Sequence, residues 1–249
     1  MAEHGTPLML EDLTKATGRQ KYVNPTTGLP EPDPITGYEE VPKLTLSPTK
    51  ASTAIIEHIS LRISSSDTGD KQKLWRYEGK IWNPDGERYV KNLIDATIGD
   101  LSYEKGLQET LRRVRAMLDT VSFDSSPYLF PAQDKIIDLR TGEVREYQPE
   151  DYVTFQYSAA FHDPAADCRP ALWLLCTSLP DPRDVLTALD IVTAVFIRLP
   201  LEAIIQLIGP GGNGKGVFEK MMMALCTIDR VAVITLSEAK SSRFGPAAV

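Results

Sequence analysis

The chain has 249 residues, of which 42% are apolar and 24% charged, and a formal net charge of -7. That length buries a substantial core in one large domain or two small ones, and no apolar run reaches the roughly 20 residues that cross a bilayer. The acidic balance excludes a surface that grips nucleic acid throughout, so any DNA contact is expected to be local.

The N-terminal Met1-Ala2-Glu3-His4-Gly5 carries no export or organelle signal, so a cytoplasmic protein without a membrane partner is expected. Cys168, Cys176 and Cys226 form no Cys-x-x-Cys pair and have no His at zinc spacing. Reduced, partly buried thiols and no metal site are expected.

Residues 1–50 hold many Pro, Thr and Gly without sustained periodicity and read as a disordered, flexible arm. From Ser52, taken as a cap, Ile55, Ile56, Ile59 and Ile63 recur at helical spacing. Leu74–Tyr77 and Lys80–Trp82 read as two strands around a Glu78-Gly79 turn. One helix is predicted from Asp85-Gly86, carrying Val90, Leu93, Ile94 and Ile98, and another from Ser102, carrying Leu107, Leu111, Val114 and Leu118.

Lys135–Leu139, Glu143–Tyr147 and Tyr152–Tyr157 are predicted strands, the first two joined by Arg140-Thr141-Gly142. After a loop from His162 to Pro170, Ala171–Leu179 and Asp184–Leu199 read as apolar helices. Ala203–Ile208 is a predicted strand ending at Gly209, a helical pattern resumes at Val217, and Arg230–Leu236 is a second predicted strand. Strand, glycine loop and helix therefore follow one another as in a nucleotide-binding sheet.

Gly209-Pro210-Gly211-Gly212-Asn213-Gly214-Lys215-Gly216 fits Gly-x-x-x-x-Gly-Lys, a phosphate-binding loop, apart from its last position. A polyphosphate needs several backbone N–H groups converging on one concavity, and glycines supply the positive φ angles and the close approach of main chain to anion. The helix that follows adds unpaired first-turn N–H groups and the positive end of its dipole, and Lys215 reaches the outer phosphates as a point charge. Gly209, Pro210, Gly211, Gly212, Asn213, Gly214, Lys215, Gly216 and Val217 are the expected phosphate-site residues, with Lys215 in the catalytic role. ATP and Mg are the expected cofactors. Gly216 stands where a Ser or Thr hydroxyl normally meets Mg; water replaces that hydroxyl, or binding is weaker and depends less on Mg.

Lys105, Arg112, Arg113 and Arg115, and Lys71, Lys73 and Arg76, offer charge for a DNA backbone, but a solvated helix face is the favoured reading. Trp75, Tyr77 and Trp82 are read as core packing rather than base stacking. His4, His58 and His162 have no partner at catalytic spacing, and Asp134, Asp138 and Asp163 suit turns as well as chemistry.

Taken together, Ile204–Phe218 with its Gly-Asn-Gly-Lys core, Ser241–Gly245, and the upstream Asp138–Val144, Pro149–Tyr152 and Asp163–Cys168 resemble the phage and plasmid primase-helicase family, of the poxvirus and satellite-phage type, whose motor is a superfamily 3 helicase. The resemblance covers residues 52–249. It implies an ATP-dependent replicative DNA helicase acting on single-stranded or forked DNA as a homo-oligomeric ring, usually a hexamer, with Lys215 on the phosphates. It also implies that the acidic pair, polar sensor and arginine finger lie beyond Val249. The chain is therefore expected to be a fragment that is inactive alone.

The resulting expectation is an α/β chain: a disordered arm (1–50), a small mixed α+β pre-motor domain (51–170), and a helical connection with the first β-α-β part of a P-loop ATPase (171–249). A second reading stays open, a non-catalytic module that binds DNA or a partner and carries a vestigial nucleotide loop. A small-molecule kinase ranks behind both, since no lid or acceptor site is found.

Overall fold

The computed structural model describes residues 8–35, 37–38, 40–67, 72–161, 168–197 and 205–225. By its internal contacts the chain divides into two units, Met1–Phe123 with Pro149–Thr154, and Asp124–Gln148 with Phe155–Val249. Among the described residues, helices and three small sheets give a mixed α and β architecture.

The first unit begins with a single helical turn, α1 (Leu10–Leu13), followed by β1 (Thr14–Lys21) and β2 (Glu40–Leu46), which pair antiparallel as a two-stranded ribbon. Over Leu10–Lys21 and Glu40–Leu46 this corrects the reading of residues 1–50 as a disordered arm; residues 1–7 lie outside the described residues. The ribbon is rooted by Leu13 and Leu46, both fully buried, and by the Ser47 N–H donating to the Leu13 carbonyl at 2.8 Å. Seven of the eight β1 residues are exposed, so no apolar alternation marked the strand in the sequence.

α2 (Pro48–His58) starts at Pro48, where the missing N–H costs the helix nothing. The start expected at Ser52 is corrected: Ser52 is buried inside the helix, and its hydroxyl donates to the Thr49 carbonyl. The helix ends as Ile59 turns extended, which moves Ile63 onto β3 (Leu61–Ser64) rather than a continuing helical face.

β4 (Leu74–Glu78) and β5 (Ile81–Asn83) form the predicted hairpin, with Gly79 at φ 71° in its turn. α3 (Gly86–Ile98) and α4 (Glu104–Met117) follow, with Val90, Ile94, Ile98, Leu107, Leu111 and Val114 buried at the predicted spacing. β6 (Thr120–Val121) pairs parallel to β3 and completes a four-stranded sheet of order β5-β4-β3-β6.

Alternation sorts the two faces of that sheet. Leu61, Ile63 and Leu74 join the helices in one core with Ile55, Ile94 and Leu111. The opposite face stacks Trp75 on Phe123 at 4.7 Å and Trp82 on Phe123 at 5.6 Å, with Tyr77 and Tyr152 beside Trp82. Trp82 is 1% exposed; its backbone N–H donates to the Val153 carbonyl and its ring N–H to the Pro149 carbonyl.

In the second unit β7 (Leu129–Pro131), β8 (Ile136–Asp138) and β9 (Val144–Arg145) form an antiparallel sheet. Its β8–β9 turn holds Gly142 at φ 74°, and Asp138 Oδ1 accepts the Arg140 N–H at 2.8 Å. The strand expected over Tyr152–Tyr157 is corrected: after a 3-10 turn at Pro149–Asp151 this segment is irregular. Single backbone bonds take the place of a ladder there, such as the Tyr157 N–H to the Pro131 carbonyl.

α5 (Arg169–Ser178), α6 (Pro182–Phe196) and α7 (Lys215–Leu225) supply the helices expected around the glycine loop. Asp181 caps α6 by accepting the Arg183 N–H at 2.9 Å. Residues 205–208 of the expected strand carry no ladder bond. Residues 203–204, the expected strand Arg230–Leu236 and the Ser241–Gly245 segment lie outside the described residues, so of the β-α-β order only the helix is described.

Candidate phosphate-binding loop

The loop from Gly209 to Gly216 runs directly into α7, whose first residue is Lys215. Gly212 and Gly214 take φ of 79° and 83°, left-handed conformations that a side chain disfavours. The first turn closes on Gly214, whose carbonyl accepts the Val217 N–H at 3.0 Å and the Phe218 N–H at 2.9 Å.

Lys215 folds back over its own loop. Its ammonium donates to the Gly209 carbonyl at 2.9 Å, the Pro210 carbonyl at 2.8 Å and Asn213 Oδ1 at 2.6 Å. Three acceptors thus hold one cation over the residues that open the loop. Asn213 closes the other side: a Cβ on Gly209 would come within 2.3 Å of Asn213 Nδ2, so a side chain there would displace the Asn213 amide where the two ends of the loop approach.

The loop helix is seated by its apolar side. Phe218 is buried with Leu175 of α5 and Ala188 of α6, and Met221 and Met222 pack on the same cluster. At the other end of α7 the Ser158 hydroxyl donates to the Ala224 carbonyl at 2.6 Å. α5 also reaches the loop itself, since a Cβ on Gly214 would lie 2.5 Å from Ser178 Oγ and 3.6 Å from Leu174 Cδ1. Ser158 and Ser178 carried no signal in the sequence, because each meets the loop region only through tertiary contact.

Gly209, Gly212, Asn213, Gly214 and Lys215 are therefore brought together in one tight loop at the start of α7, and Pro210 contributes a carbonyl to Lys215. A Cβ on Gly211 or Gly216 would meet nothing within 4 Å, and Val217 is exposed at 54%. The loop offers no side-chain oxygen at position 216 for a metal, and among the described residues no cluster of three or more His, Cys, Asp or Glu stands ready to hold one.

Of the other basic groups singled out in the sequence, Arg76, Arg112, Arg113 and Arg115 are paired, while Lys73 and Lys105 are exposed. Glu109 accepts from Arg112 and Arg113, and hydrogen bonding from Arg112 leads the causes that hold its carboxyl down at about 2. Arg115 bonds Glu87 and the Gln72 carbonyl, while Lys91 also reaches Glu87 at 3.0 Å. Burial works to raise the Glu87 carboxyl, and the bonds and charges of Lys91 and Arg115 outweigh it and draw the carboxyl down. Arg76 lies between Asp85 and Glu78, over the Tyr89 ring at 4.3 Å. The α4 arginines are thus a paired helix face, and the aromatic group Trp75, Tyr77 and Trp82 is packing.

His58 Nδ1 lies 2.8 Å from the Ala54 carbonyl, and Asp134 accepts the Phe161 N–H, both local structural contacts. Cys168 and Cys176 are free, but exposed rather than partly buried as expected; Cys226, Asp163 and Lys71 lie outside the described residues.

Residues 66–178 match the family model described as D5 N terminal like. That domain is found in phage and plasmid primase-helicase proteins, so the match supports the resemblance, over a stretch that ends before Gly209. No curated protein matches the chain. Among the described residues no helix is long and apolar enough to cross a membrane.

Proposed function

We propose that the loop Gly209–Gly216 binds the phosphates of ATP, and that the chain is part of an ATP-dependent replicative DNA helicase of the primase-helicase type. The observation that carries this reading is Lys215, poised at the start of α7 by three acceptors of its own loop. On binding, its ammonium exchanges those acceptors for phosphate oxygens, while the backbone N–H groups around Gly212 and Gly214 turn toward the same anion. Phe218 and the α5–α6 cluster keep the helix end in place. Under this reading the motor works on single-stranded or forked DNA as a homo-oligomeric ring.

Position 216 makes the metal requirement weak. With no hydroxyl there, Mg is held through the nucleotide's phosphates and water rather than through the loop.

The test is binding of a fluorescent ATP analogue to the full chain, with and without Mg, for the native protein and Lys215→Ala, with phosphate release followed in the same samples. Binding that falls at least about tenfold in Lys215→Ala, a loss of about 1.4 kcal/mol, supports the reading. Equal binding by both proteins, or none by the native one, discards it.

A further inference from the structure

The β1–β2 ribbon carries a group of exposed cations. Lys15, Arg19, Lys21 and Lys43 all lie on its two strands and are exposed, and among the described residues none of the four enters an ion pair. In the same unit Arg76, Arg88, Lys91, Arg112, Arg113 and Arg115 each have a carboxylate within 4 Å, whereas Lys73 and Lys105, outside the ribbon, are exposed like the ribbon cations. On a chain of net charge -7, an unpaired basic ribbon is the local site for a polyanion that the overall charge leaves room for.

A groove of about 870 Å³ runs beside the ribbon. Arg19, Lys21, Tyr22 and Tyr38 stand on its walls, and Pro42 and Leu44 are among its apolar lining. Tyr38 is 70% exposed. Two carboxylates also line the groove. Asp33 is occupied in its own turn, accepting the Ile35 N–H at 2.7 Å, and Glu40 stands opposite Lys21 in the strand register. Arg19, paired in register with Pro42, has no such counter-charge across from it. Lys15 and Lys43 stand on the opposite face of the ribbon, since Lys43 alternates with Pro42 and Leu44 and Lys15 pairs with Thr45.

We infer that this ribbon and groove bind a single strand of nucleic acid. Cations along an extended strand, about 3.3 Å per residue, follow a phosphate backbone, and tyrosine rings beside them take unpaired bases. A duplex keeps its base faces stacked on one another and cannot use Tyr22 or Tyr38 in this way. The inference rests on the proposed DNA-motor reading only for choosing nucleic acid over other polyanions. The loop is tested by nucleotide and the ribbon by oligonucleotide, so either can fail alone.

The experiment is fluorescence anisotropy of a labelled 30-nucleotide oligo(dT) with the full chain, from 50 to 200 mM salt, without nucleotide. Two phosphate contacts, at Arg19 and Lys21, give a slope of about -1.4 in log K against log salt, so affinity falls about sevenfold over that range. The variant Arg19→Ala/Lys21→Ala should lose most of that slope, and Lys15→Ala/Lys43→Ala, on the other face, should keep it. Tyr22→Ala/Tyr38→Ala should keep the slope and bind about fivefold more weakly or worse. Lys73→Ala/Lys105→Ala, exposed cations elsewhere in the same unit, should behave as the native protein. Circular dichroism melts check that each variant folds, and the four cation substitutions are all at exposed positions.

No binding by the native protein at 50 mM salt overturns the inference. So does an unchanged salt slope in Arg19→Ala/Lys21→Ala, tighter binding of a duplex than of the single strand, or displacement by polyglutamate as efficient as by unlabelled oligo(dT).

Discussion

The Lys215 ammonium lies 2.6 Å from Asn213 Oδ1, two residues back along the same loop. An amide oxygen is a neutral acceptor, so it orients the cation without cancelling the charge that phosphates require. Asn213 is thereby a positioning residue for Lys215, and its other amide atom sits where a Cβ at Gly209 would otherwise fall.

Asn213→Ala should therefore weaken ATP-analogue binding by about fivefold, in line with one charge-assisted hydrogen bond. In the Lys215→Ala background the same substitution should change little, because its effect runs through the lysine. An equal loss in both backgrounds, measured by titration, excludes that route.

Gly214→Ala and Gly216→Ser should part company. The first puts a Cβ at φ 83° and within 2.5 Å of Ser178 Oγ, at a cost of about 1–3 kcal/mol in backbone strain before the contact is counted. The second meets nothing within 4 Å and should leave the melting temperature unchanged. Ser178→Ala should recover part of the Gly214→Ala loss. Gly216→Ser should also raise the ratio of nucleotide affinity with Mg to that without, by about tenfold, since it restores a hydroxyl ligand. Thermal melts and binding with and without Mg report the two effects separately.

Trp82 ties the sheet of the first unit to the Pro149–Thr154 segment through two hydrogen bonds and a buried ring. Trp82→Ala should cost about 3–5 kcal/mol of unfolding free energy. Trp82→Phe keeps most of the packing but strands the Pro149 carbonyl, at about 1–2 kcal/mol. Urea unfolding of both variants checks the order; a Phe variant as unstable as the Ala variant would show that the indole bond, not the ring volume, sets the cost.

What the sequence made legible was local. Gly79 and Gly142 marked hairpins because each must take a positive φ, and Val90, Ile94 and Ile98 marked α3 because the helical period brings them to one face. The glycine loop was legible for the same reason, since Gly212, Gly214 and Lys215 act through neighbours in sequence. Pairings between distant stretches were not. β1 and β2 are joined across residues 22–39 and expose nearly all of β1, so neither apolar alternation nor a short turn announced them. Ile63 continued a helical spacing by coincidence, and only the core shared with Leu74 and Leu111 shows that it belongs to a strand. Tyr152–Tyr157 had the composition of a strand but met no continuous neighbour to pair with. At the site, Ser178 reaches Gly214 from another helix, a contact no spacing rule anticipates.

Glu109 gives a pH dependence whose sign follows from its partners. Arg112 and Arg113 hold its carboxyl at about 2, below the ordinary value of 4.5. The folded chain therefore favours the ionised form more than the unfolded chain does, and the resulting stabilisation is complete above about pH 4.5. It declines as pH falls through that value and is gone below about 2, where both states are protonated. Glu109→Gln removes the carboxylate, so the native protein's advantage over this variant should be greatest near neutral pH and close steadily between pH 4.5 and 2. The pair is exposed, so the advantage is small and shrinks with added salt. Thermal melts of both proteins at pH 7, 4.5, 3 and 2, each at low and high salt, measure it. A gap that widens on acidification contradicts the assignment of Glu109 as a paired carboxylate.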